Sequence, residues 1–372
     1  MKQGTPDALR YLRSALDQLA KGGLLRGRST PLSPGGLSFC SNDYLGLAAH
    51  PGIAAAPRGA GSARLVAGER AEHVALERTA AELVGLPAAL AFTSGYAANL
   101  GTLAALAGPG DLIVSDARNH ASIIDGCRLS RAEISIVPHL DVGAVERALA
   151  PTRSGRRFVV TESYFSMDAD SPDLWALRAL CDREDAALIV DEAHALGVLG
   201  PAGRGLCREH EIQPDVMLGT FGKAFGAGGA FVAGGEPLIH WLWNRARSFV
   251  FSTGLSPAVA AAATEGIRIA RDQPEQRRQV LRSSARFRAG LLAAGLEALG
   301  FGHIVPVLLG APEEAVRVAN ELCARGVLVK AIRPPTVPPG AARLRFTLTA
   351  AHTDEAVDRA LEVITAVLKP AS

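Results

Sequence analysis

The chain has 372 residues, 48% of them hydrophobic, which is enough to bury a large core and predicts two domains or one large domain with a smaller appendage. Its 39 basic and 37 acidic residues leave a formal net charge of +2, and no long run of like charge stands out. This balance gives no electrostatic support to a role in binding nucleic acid or a membrane surface.

The first predicted element is an amphipathic helix. Thr5-Pro6 provides a helix start, and leucines then recur every three or four residues from Leu9 to Leu19. A stretch punctuated by glycine and proline, residues 22–36, leads into the sequence SNDYLG at 41–46. We assign residues 1–45 to an N-terminal helix and arm.

Short apolar runs alternate with helical patterns from about residue 70 to 240. The candidate strands are residues 89–92, 112–114, 158–161, 187–190, 216–218 and 229–233, and helices are predicted at 96–106 and 174–184. A strand-then-helix rhythm of this kind is typical of a mostly parallel sheet covered by helices, so the sequence predicts an α/β fold. We place this large domain at 46–260.

The tail predicts a smaller α/β domain at 261–372. Strands are expected at 303–309, 327–331 and 342–347, with a helix at 313–325 and a long helix around 282–299. A last helix carries Val357, Leu361 and Ile364 on one face.

Several sequence features bear on compartment. Cysteines are scattered and never form a C-x-x-C pair, which favours reduced thiols in a cytoplasm over a disulfide framework or a zinc ribbon. The apolar stretch at 255–264 is too short to span a bilayer, and residues 1–19 lack the apolar core of a signal peptide. We therefore expect a cytoplasmic protein.

Polar residues follow the predicted strands at the point where each strand ends. In an open parallel sheet, ligands bind beyond the carboxyl ends of the strands. The residues at these ends are Ser94, Gly95 and Tyr96, Asn119 and His120, Glu162 and Ser166, Asp191 and His194, and Thr220 and Lys223. Singly, each has an ordinary structural explanation, such as a helix cap or a surface lysine. Together on one rim, they predict a shared ligand.

Pyridoxal 5′-phosphate (PLP) needs this set of groups. Its aldehyde bonds a lysine amine as a Schiff base, and an aspartate keeps its pyridine nitrogen protonated. Its phosphate suits the N-terminus of a helix, where N–H groups lack partners. The sequence therefore predicts a PLP site with Lys223 at the aldehyde and Asp191 at the ring nitrogen.

Three other kinds of site have weaker support. The sequence DEAH at 191–194 matches the acidic box of some nucleic-acid helicases, but Gly222-Lys223 is followed by Ala224, so no phosphate-binding G-x-x-x-x-G-K-[ST] loop is present. A metal hydrolase built on His120, Asp191 and His194 lacks paired ligand spacing. The glycine runs at 59–61 and 226–229 do not complete a dinucleotide fingerprint.

Seven segments resemble the α-oxoamine synthases, PLP enzymes with the fold of aspartate aminotransferase (fold type I). They are SNDYLGL (41–47), TSGYAAN (93–99), NHASIIDG (119–126), TESYFSMDAD (161–170), VDEAHALGVLGPAGRG (190–205), TFGKAFG (220–226) and AIRPPTVPPGAARLRFTLTAAH (331–352). The resemblance implies a large PLP-binding domain with a mostly parallel, seven-stranded sheet, a smaller C-terminal α/β domain, and a homodimer.

The resemblance also implies roles for individual residues. Lys223 is then the Schiff-base lysine, Asp191 pairs with the ring nitrogen, and His120 stacks on the ring and touches the substrate. Ser166 and His194 contact the ring hydroxyl. The implied phosphate contacts are Gly95, Tyr96, Thr220 and, from the partner chain, Thr253 with Ser252. The implied substrate contacts are Asn42 and Arg345 at the amino-acid carboxylate, and Arg26 and Thr336 at the acyl group.

Enzymes of this family condense an amino acid with an acyl thioester and release CO₂. The IRPPTVPPG loop at 332–340 resembles the branch that joins L-alanine to a pimeloyl thioester, carried on coenzyme A (pimeloyl-CoA) or on acyl-carrier protein, in biotin biosynthesis. A glycine-using branch, of the 2-amino-3-ketobutyrate ligase or 5-aminolevulinate synthase type, stays open because one methyl group is worth only ~1–3 kcal/mol of discrimination. A non-catalytic subunit on this fold is disfavoured by the presence of Lys223, Asp191 and His120. The segment at 59–69 carries Arg64 and Glu69, where some family members differ.

Overall fold

The computed structural model describes residues 18, 21, 22, 37–39, 44, 45, 59–150 and 155–369. Arg26, Asn42 and all but residue 18 of the predicted helix at 9–19 lie outside these residues.

Twelve strands are assigned among the described residues. In chain order they are β1 Leu37–Ser38, β2 Ala88–Phe92, β3 Leu112–Asp116, β4 Glu133–Val137, β5 Arg157–Glu162, β6 Ala187–Asp191, β7 Val216–Thr220, β8 Ala230–Gly234, β9 Ile304–Gly310, β10 Val327–Leu328, β11 Lys330–Ile332 and β12 Ala342–Thr347.

Twelve α-helices are assigned among the described residues, and they are also numbered in chain order. They are α1 Ala71–Val84, α2 Gly95–Leu106, α3 Ala121–Ser130, α4 Val142–Leu149, α5 Leu174–Arg183, α6 Leu206–Glu209, α7 Glu236–Arg245, α8 Arg247–Val250, α9 Pro257–Asp272, α10 Pro274–Ala293, α11 Pro312–Ala324 and α12 Asp354–Leu368. A π-helical turn, Arg64–Gly68, precedes α1, and a 3₁₀ turn, Pro201–Gly203, precedes α6.

The larger of two compact units contains a seven-stranded sheet with the order β2-β8-β7-β6-β5-β3-β4. Neighbouring strands are parallel except where β8 pairs antiparallel with β2 and β7. The predicted mostly parallel sheet and the α/β fold class are confirmed. The sequence did not predict β4, an edge strand whose residues are largely exposed or half-buried, so that it lacks the apolar run of a buried strand.

Strand β6 shows why the apolar runs predicted the sheet correctly. Leu188, Ile189 and Val190 are each 0% exposed, although successive side chains point to opposite faces. Both faces of the sheet are therefore covered, as βαβ connections require. On one face, strand residues such as Ile189 pack with Leu103 of α2 and Ile123 of α3. The site-bearing carboxyl end of β6 thus extends from a rigid, fully packed strand.

The smaller unit contains the C-terminal elements and a short N-terminal strand. Strands β11, β12 and β9 form an antiparallel sheet in that order, and β1 pairs parallel with β10. Phe39, Phe287 and Phe346 pack together at its centre, with ring centroids 5.2–6.0 Å apart. The helices predicted at 313–325 and at the C-terminus are present as α11 and α12.

The long C-terminal segment of the smaller unit begins at Ser283, so one boundary between the two units lies within α10. The larger unit takes residues 42–282 and 349–351, whereas the sequence analysis placed the start of the smaller domain at 261. No helix among the described residues is both long and apolar enough to cross a membrane.

Candidate active site

The carboxyl ends of three neighbouring strands carry the polar residues predicted from the sequence. Strand β5 ends at Glu162, β6 at Asp191 and β7 at Thr220, and these strands are adjacent and parallel in the sheet. Glu162 and Asp191 are direct register partners. The prediction that residues after separate strands meet at one edge is confirmed for this pair.

Asp191 is held by two N–H donors. Its Oδ2 accepts a hydrogen bond from Asn99 Nδ2 at 2.8 Å, and its Oδ1 accepts one from the backbone N–H of Ala193 at 2.9 Å. The side chain is only 8% exposed. Each carboxylate oxygen keeps further acceptor capacity, so Asp191 is a fixed anionic acceptor suited to a protonated ring nitrogen.

Lys223 lies in the turn between β7 and β8. The hydroxyl of Thr220 donates to the carbonyl of Gly229 at 3.0 Å and accepts the N–H of Gly222 at 3.2 Å. Phe221 N–H also donates to the Gly229 carbonyl at 3.0 Å. These bonds give the lysine-bearing turn a fixed shape. The Thr220 hydroxyl therefore shapes this turn, and its predicted phosphate contact stays a prediction.

The positive charge of Lys223 acts on the pKa of both Glu162 and His120. Burial raises the pKa of Glu162, the charge of Asp191 raises it further, and the charge of Lys223 opposes both effects. Burial also lowers the pKa of His120, and Lys223 lowers it further, against the opposing charge of Asp191. The lysine, the two carboxyl groups and the imidazole therefore influence one another electrostatically, as is common for the titratable groups of an active site.

His120 caps the start of α3. Its backbone N–H donates to Glu162 Oε1 at 2.8 Å, while its side-chain Nδ1 accepts the backbone N–H of Ser122 at 3.2 Å. The residue as a whole is exposed, although its imidazole is buried enough to lower its pKa. The cap holds the imidazole through Nδ1 and does not engage Nε2.

The start of α2 provides the anion-binding geometry predicted for phosphate. Ser94 caps the helix by accepting the N–H of Ala97 at 3.1 Å, and the first intrahelical bond runs from Ala98 N to Ser94 O at 3.0 Å. The N–H groups of Gly95 and Tyr96 belong to the first turn, where a helix has no carbonyl for them. A Cβ built on Gly95 would meet no described atom within 4 Å, so there is open space beside this turn.

The predicted phosphate contact Tyr96 has a hydrogen-bond partner of its own. Its hydroxyl donates to Asp125 Oδ2 on α3, so the side chain joins the first turn of α2 to the middle of α3. A phosphate contact of Tyr96 therefore has to come from its backbone, and it stays a prediction.

His194 and Ser166 are both buried. His194 Nδ1 lies 2.7 Å from the hydroxyl of Tyr44, a contact that orients the imidazole. Ser166 follows Phe165, whose ring packs edge-on against His139 with a centroid distance of 4.5 Å. The proposed contacts of His194 and Ser166 with the ring hydroxyl stay predictions.

His139 lies between two carboxylates that the sequence analysis did not single out. Its Nδ1 is 2.9 Å from Asp116 Oδ1, and its Nε2 is 3.1 Å from Asp170 Oδ2. Burial alone would lower the pKa of His139, but the hydrogen bonds and charges of the two carboxylates raise it to about 9. The protonated imidazole therefore joins the end of β3 to the loop that carries Ser166.

Thr253, the predicted contact with the partner's phosphate, is exposed and lies beside the π-helical turn. It forms an isolated antiparallel bridge with Ala63, and Gly254 N–H donates to Ser62 O at 3.0 Å. The backbone at Thr253 is therefore fixed, while its side chain faces outward.

Arg64 forms a buried ionic cluster in this turn. Its guanidinium donates to the carboxylates of Glu69 and Glu77 and lies 5.0 Å from the ring centre of Trp243. Glu77 also accepts the N–H of Ala91 in β2 at 2.8 Å. The cluster therefore connects the π-helical turn, α1 and β2.

Two predicted substrate contacts lie in the smaller unit. Arg345 is buried in β12, where its Nη1 donates to Thr347 Oγ1 at 3.1 Å. Thr336 is exposed in the loop after β11, with its N–H bonded to the Arg333 carbonyl at 3.1 Å. Their roles stay predictions, as do those of Arg26 and Asn42, which lie outside the described residues. The described part of the chain contains no cluster of three His, Cys, Asp or Glu side chains able to hold a metal ion.

Three buried residues of this site make contacts that were not predicted from the sequence. Asn99 contacts Asp191, Ser122 contacts His120, and Tyr44 contacts His194. Each of the three lies inside a segment that carries the family resemblance. For Asn99 and Tyr44 that was the only sequence signal, because their contacts join residues far apart in the chain. Ser122 lies two residues after His120, so its contact is local.

The family model of aminotransferase class I and II matches residues 34–364. Among curated relatives, an 8-amino-7-oxononanoate synthase from Anaeromyxobacter dehalogenans is 46% identical, covering 97% of this chain and 96% of its own. Enzymes of the same name from Methylococcus capsulatus (47% identical, 88% of each chain) and Geobacter sulfurreducens (44% identical, 97% of this chain and 98% of its own) are similarly related.

Solved structures show the same fold. A serine palmitoyltransferase from S. paucimobilis, solved with PLP and myriocin bound, superposes with a TM-score of 0.89 at 28% identity and covers 98% of each chain. An 8-amino-7-oxononanoate synthase from Francisella tularensis gives a TM-score of 0.77 at 27% identity, covering 91% of this chain and 99% of its own.

Proposed function

Since this chain belongs to the aminotransferase class I and II family, we propose that it is a PLP-dependent acyltransferase of biotin biosynthesis. It condenses L-alanine with a pimeloyl thioester and yields 8-amino-7-oxononanoate, CO₂ and the free thiol. Full-length relatives with this activity in their names, at 44–47% identity, support the assignment. The observation that supports it most directly is that Asn99 and Ala193 hold Asp191 at the end of β6, while the charges of Asp191 and Lys223 both act on His120.

The chain's own groups fit each part of the cofactor. Lys223 would hold the aldehyde carbon covalently, Asp191 would accept the ring N–H, and the first turn of α2 would bind the phosphate. Bound PLP supplies an electron sink, which lets the amino acid lose its Cα proton and later lose CO₂. Asp191 keeps this sink effective because its two N–H donors hold the carboxylate in a fixed orientation.

Proton movement is the task of Lys223 and His120. The amine of Lys223 is the base for the Cα proton, and its place in a hydrogen-bonded turn limits the positions it can reach. Nε2 of His120 can donate to the thioester oxygen while negative charge develops there. Both roles depend on orientation: the hydroxyl of Thr220 shapes the turn that carries Lys223, and Ser122 holds the imidazole of His120.

We also propose that the working unit is a homodimer with shared sites, in which Thr253 serves the partner's phosphate. Its exposed position on a fixed backbone supports this role. Arg345 and Asn42 are proposed to bind the alanine carboxylate, and Thr336 and Arg26 the acyl substrate. The product assay compares coenzyme A with acyl-carrier protein as the carrier of the pimeloyl group.

A product assay tests the function. The purified holoenzyme is given alanine or glycine with acetyl, succinyl or pimeloyl thioesters, each on coenzyme A, and pimeloyl also on acyl-carrier protein. We expect the highest kcat/KM for alanine with a pimeloyl thioester, with 8-amino-7-oxononanoate identified by mass spectrometry. A preference for glycine with acetyl or succinyl thioester would replace this proposal with the glycine-using alternative.

A further inference from the structure

A single buried amide, that of Asn99, connects Asp191, which is proposed to hold the ring nitrogen, with His120, which is proposed to donate to the substrate oxygen. Asn99 Nδ2 donates to Asp191 Oδ2 at 2.8 Å and to Ser122 Oγ at 3.0 Å. Ser122 Oγ in turn lies 2.8 Å from His120 Nδ1. Asn99 is 2% exposed and Ser122 is 0% exposed, so water cannot readily replace either partner. The four side chains form one continuous chain of hydrogen bonds.

The direction of each hydrogen in this chain follows from the neighbouring groups. An ionised carboxylate only accepts hydrogen bonds, so the amide of Asn99 must turn its NH₂ group toward Asp191. Its Oδ1 then has no partner among the described residues, but the reverse orientation would place this oxygen against the carboxylate. The second N–H of the amide donates to Ser122 Oγ, which leaves the hydroxyl hydrogen available for His120 Nδ1.

The backbone N–H of Ser122 determines which nitrogen of His120 carries the proton. The N–H of Ser122 points at His120 Nδ1 from 3.2 Å, and a backbone N–H can only donate. A hydrogen on Nδ1 would clash with it, so Nδ1 must be an acceptor. The only proton of a neutral His120 imidazole is then on Nε2, the edge that faces away from Ser122.

We propose that Asn99 and Ser122 are positioning residues that fix His120 as the neutral tautomer with its proton on Nε2, and that the same amide orients Asp191. The inference rests on the proposed function. It specifies that His120 acts first as a hydrogen-bond donor toward the substrate oxygen. Because protonation of Nδ1 would break the hydrogen bond from the Ser122 N–H and would force the Ser122 hydroxyl to turn its own hydrogen away, the network also resists formation of the imidazolium ion in the resting site.

Two variants each interrupt the hydrogen-bond network at a different residue. Ser122→Ala removes the hydroxyl but keeps the backbone N–H, while Asn99→Ala removes the donor to both Ser122 and Asp191. Ser122→Thr keeps a hydroxyl and is the conservative rescue. Matched controls are Ser130→Ala, which removes a buried hydroxyl from the same helix, α3, and Thr102→Val, which does so in α2 beside Asn99.

The direct measurement is a long-range ¹H–¹⁵N spectrum of the full chain labelled with ¹⁵N-histidine, with PLP bound and after its removal. His120→Gln identifies the His120 signals. In the unmodified chain we expect a proton on Nε2 and none on Nδ1, in both states. Ser122→Ala should raise the pH midpoint of His120, since the neutral form loses a hydrogen bond, whereas the two controls should leave it unchanged.

Kinetics provides the second measurement. Ser122→Ala should lower kcat about tenfold or more with a smaller change in the KM for alanine, as expected for loss of a positioned proton donor. Asn99→Ala should have a larger effect, and the double variant should resemble Asn99→Ala, because both act through one network. Ser122→Thr should recover most of the loss.

The outcomes separate this inference from the proposed function. A proton on Nδ1 in the unmodified chain would overturn the inference even if no variant folds, and so would a His120 midpoint unaffected by Ser122→Ala. Failure to form 8-amino-7-oxononanoate, with the expected tautomer and midpoints observed, would count against the function and leave the network as described.

Discussion

Glu162 and Asp191 are register partners at the ends of adjacent parallel strands, so two buried carboxyl groups lie side by side at the candidate site. Asp191 is bonded to two N–H donors, whereas Glu162 Oε1 accepts the backbone N–H of His120. Two like charges at this spacing repel, and burial adds to the cost of the second charge. The pKa of Glu162 is therefore raised, and we expect Glu162 to keep a proton beside Asp191.

Replacing Glu162 with glutamine tests this arrangement. Because the pKa of Glu162 is raised in the folded chain, the folded state holds a proton that the unfolded state has lost, and stability falls as pH rises above the ordinary carboxyl range. Glu162→Gln should remove this fall, since its oxygen can still accept the His120 N–H. Above about pH 7, the variant should be more stable by on the order of 1–2 kcal/mol.

The measurement is denaturant unfolding from about pH 5 to 9 on chain freed of PLP, so that the cofactor does not titrate. Glu146→Gln, at an exposed position in α4, is the control and should follow the unmodified chain. Parallel stability curves for Glu162→Gln and the unmodified chain would contradict a proton on Glu162.

His139 should give stability a second pH dependence. Its folded pKa of about 9 lies above the value of 6.5 for an unfolded histidine, so its stabilisation is fully present below about pH 6.5 and is lost as pH rises through 9. His139→Gln should flatten the fall in Tm over this range, with a loss of about 1–2 kcal/mol at neutral pH after solvent screening.

His210→Gln, at an exposed position, is the control for this experiment and should keep the full pH dependence. Since His139 packs on Phe165 beside Ser166, the His139 variant should also bind PLP less tightly. An unchanged slope of Tm against pH would show that the Asp116 and Asp170 contacts do not stabilise the charged imidazole.

The sheet and its edge could be predicted from the sequence because they follow local rules. The run Ala-Leu-Ile-Val at 187–190 is buried on both faces, and an acidic residue directly after it stands at the ligand-binding edge. The edge strand β4 lacks such a run, so it escaped prediction. Local sequence patterns thus identify the residues that end buried strands.

The supporting residues could not be predicted in this way. Asn99 lies 92 residues from Asp191, and Tyr44 lies 150 residues from His194. Neither contact has a local pattern, because an asparagine inside a helix or a tyrosine in a turn has many possible partners. Only the three-dimensional arrangement shows that these side chains orient the groups that face the ligand.

Arg64 should be worth more to stability than an ordinary surface arginine. Its side chain is 2% exposed and shared between Glu69 and Glu77, so its removal leaves carboxylates without their counter-charge. Arg64→Met should therefore cost about 3–5 kcal/mol of unfolding free energy. Denaturant unfolding measures this loss, and Arg78→Met, which removes a well-exposed arginine from α1, should cost less than about 1 kcal/mol.

A second substitution tests the cause of the Arg64 effect. Arg64→Met combined with Glu77→Gln should recover part of the loss, since the glutamine oxygen can still accept the Ala91 N–H without leaving an unpaired charge. An equal loss in the single and double variants would attribute the effect to packing against Trp243 rather than to charge.

Lys223 should be the sole point of covalent attachment of PLP. Lys223→Ala should lose the visible absorbance that borohydride reduces, and reduced unmodified chain should carry the cofactor on the peptide containing residue 223. Lys330→Ala, in the smaller unit, should keep the absorbance and the modified peptide. A borohydride-trapped cofactor on another lysine of the unmodified chain would refute the assignment.

Shared sites can be tested by mixing two inactive chains. Thr253→Glu sets a carboxylate against the partner's bound phosphate, and Lys223→Ala removes the covalent attachment, so each homodimer should be nearly inactive. Random mixing of equal amounts makes about half of the dimers hybrid, and each hybrid has one site with an intact Lys223 and an intact Thr253. The mixture should therefore recover about a quarter of the unmodified activity.

The control carries both substitutions on one chain and is mixed with an equal amount of unmodified chain. If Thr253 serves the partner's site, a hybrid dimer has no complete site, and only the unmodified homodimers, about a quarter of the total, are active. If Thr253 serves its own chain, each hybrid keeps one complete site and activity approaches about half. Activity near half in this control, with no recovery in the first mixture, would place Thr253 in its own chain's site and refute the shared arrangement.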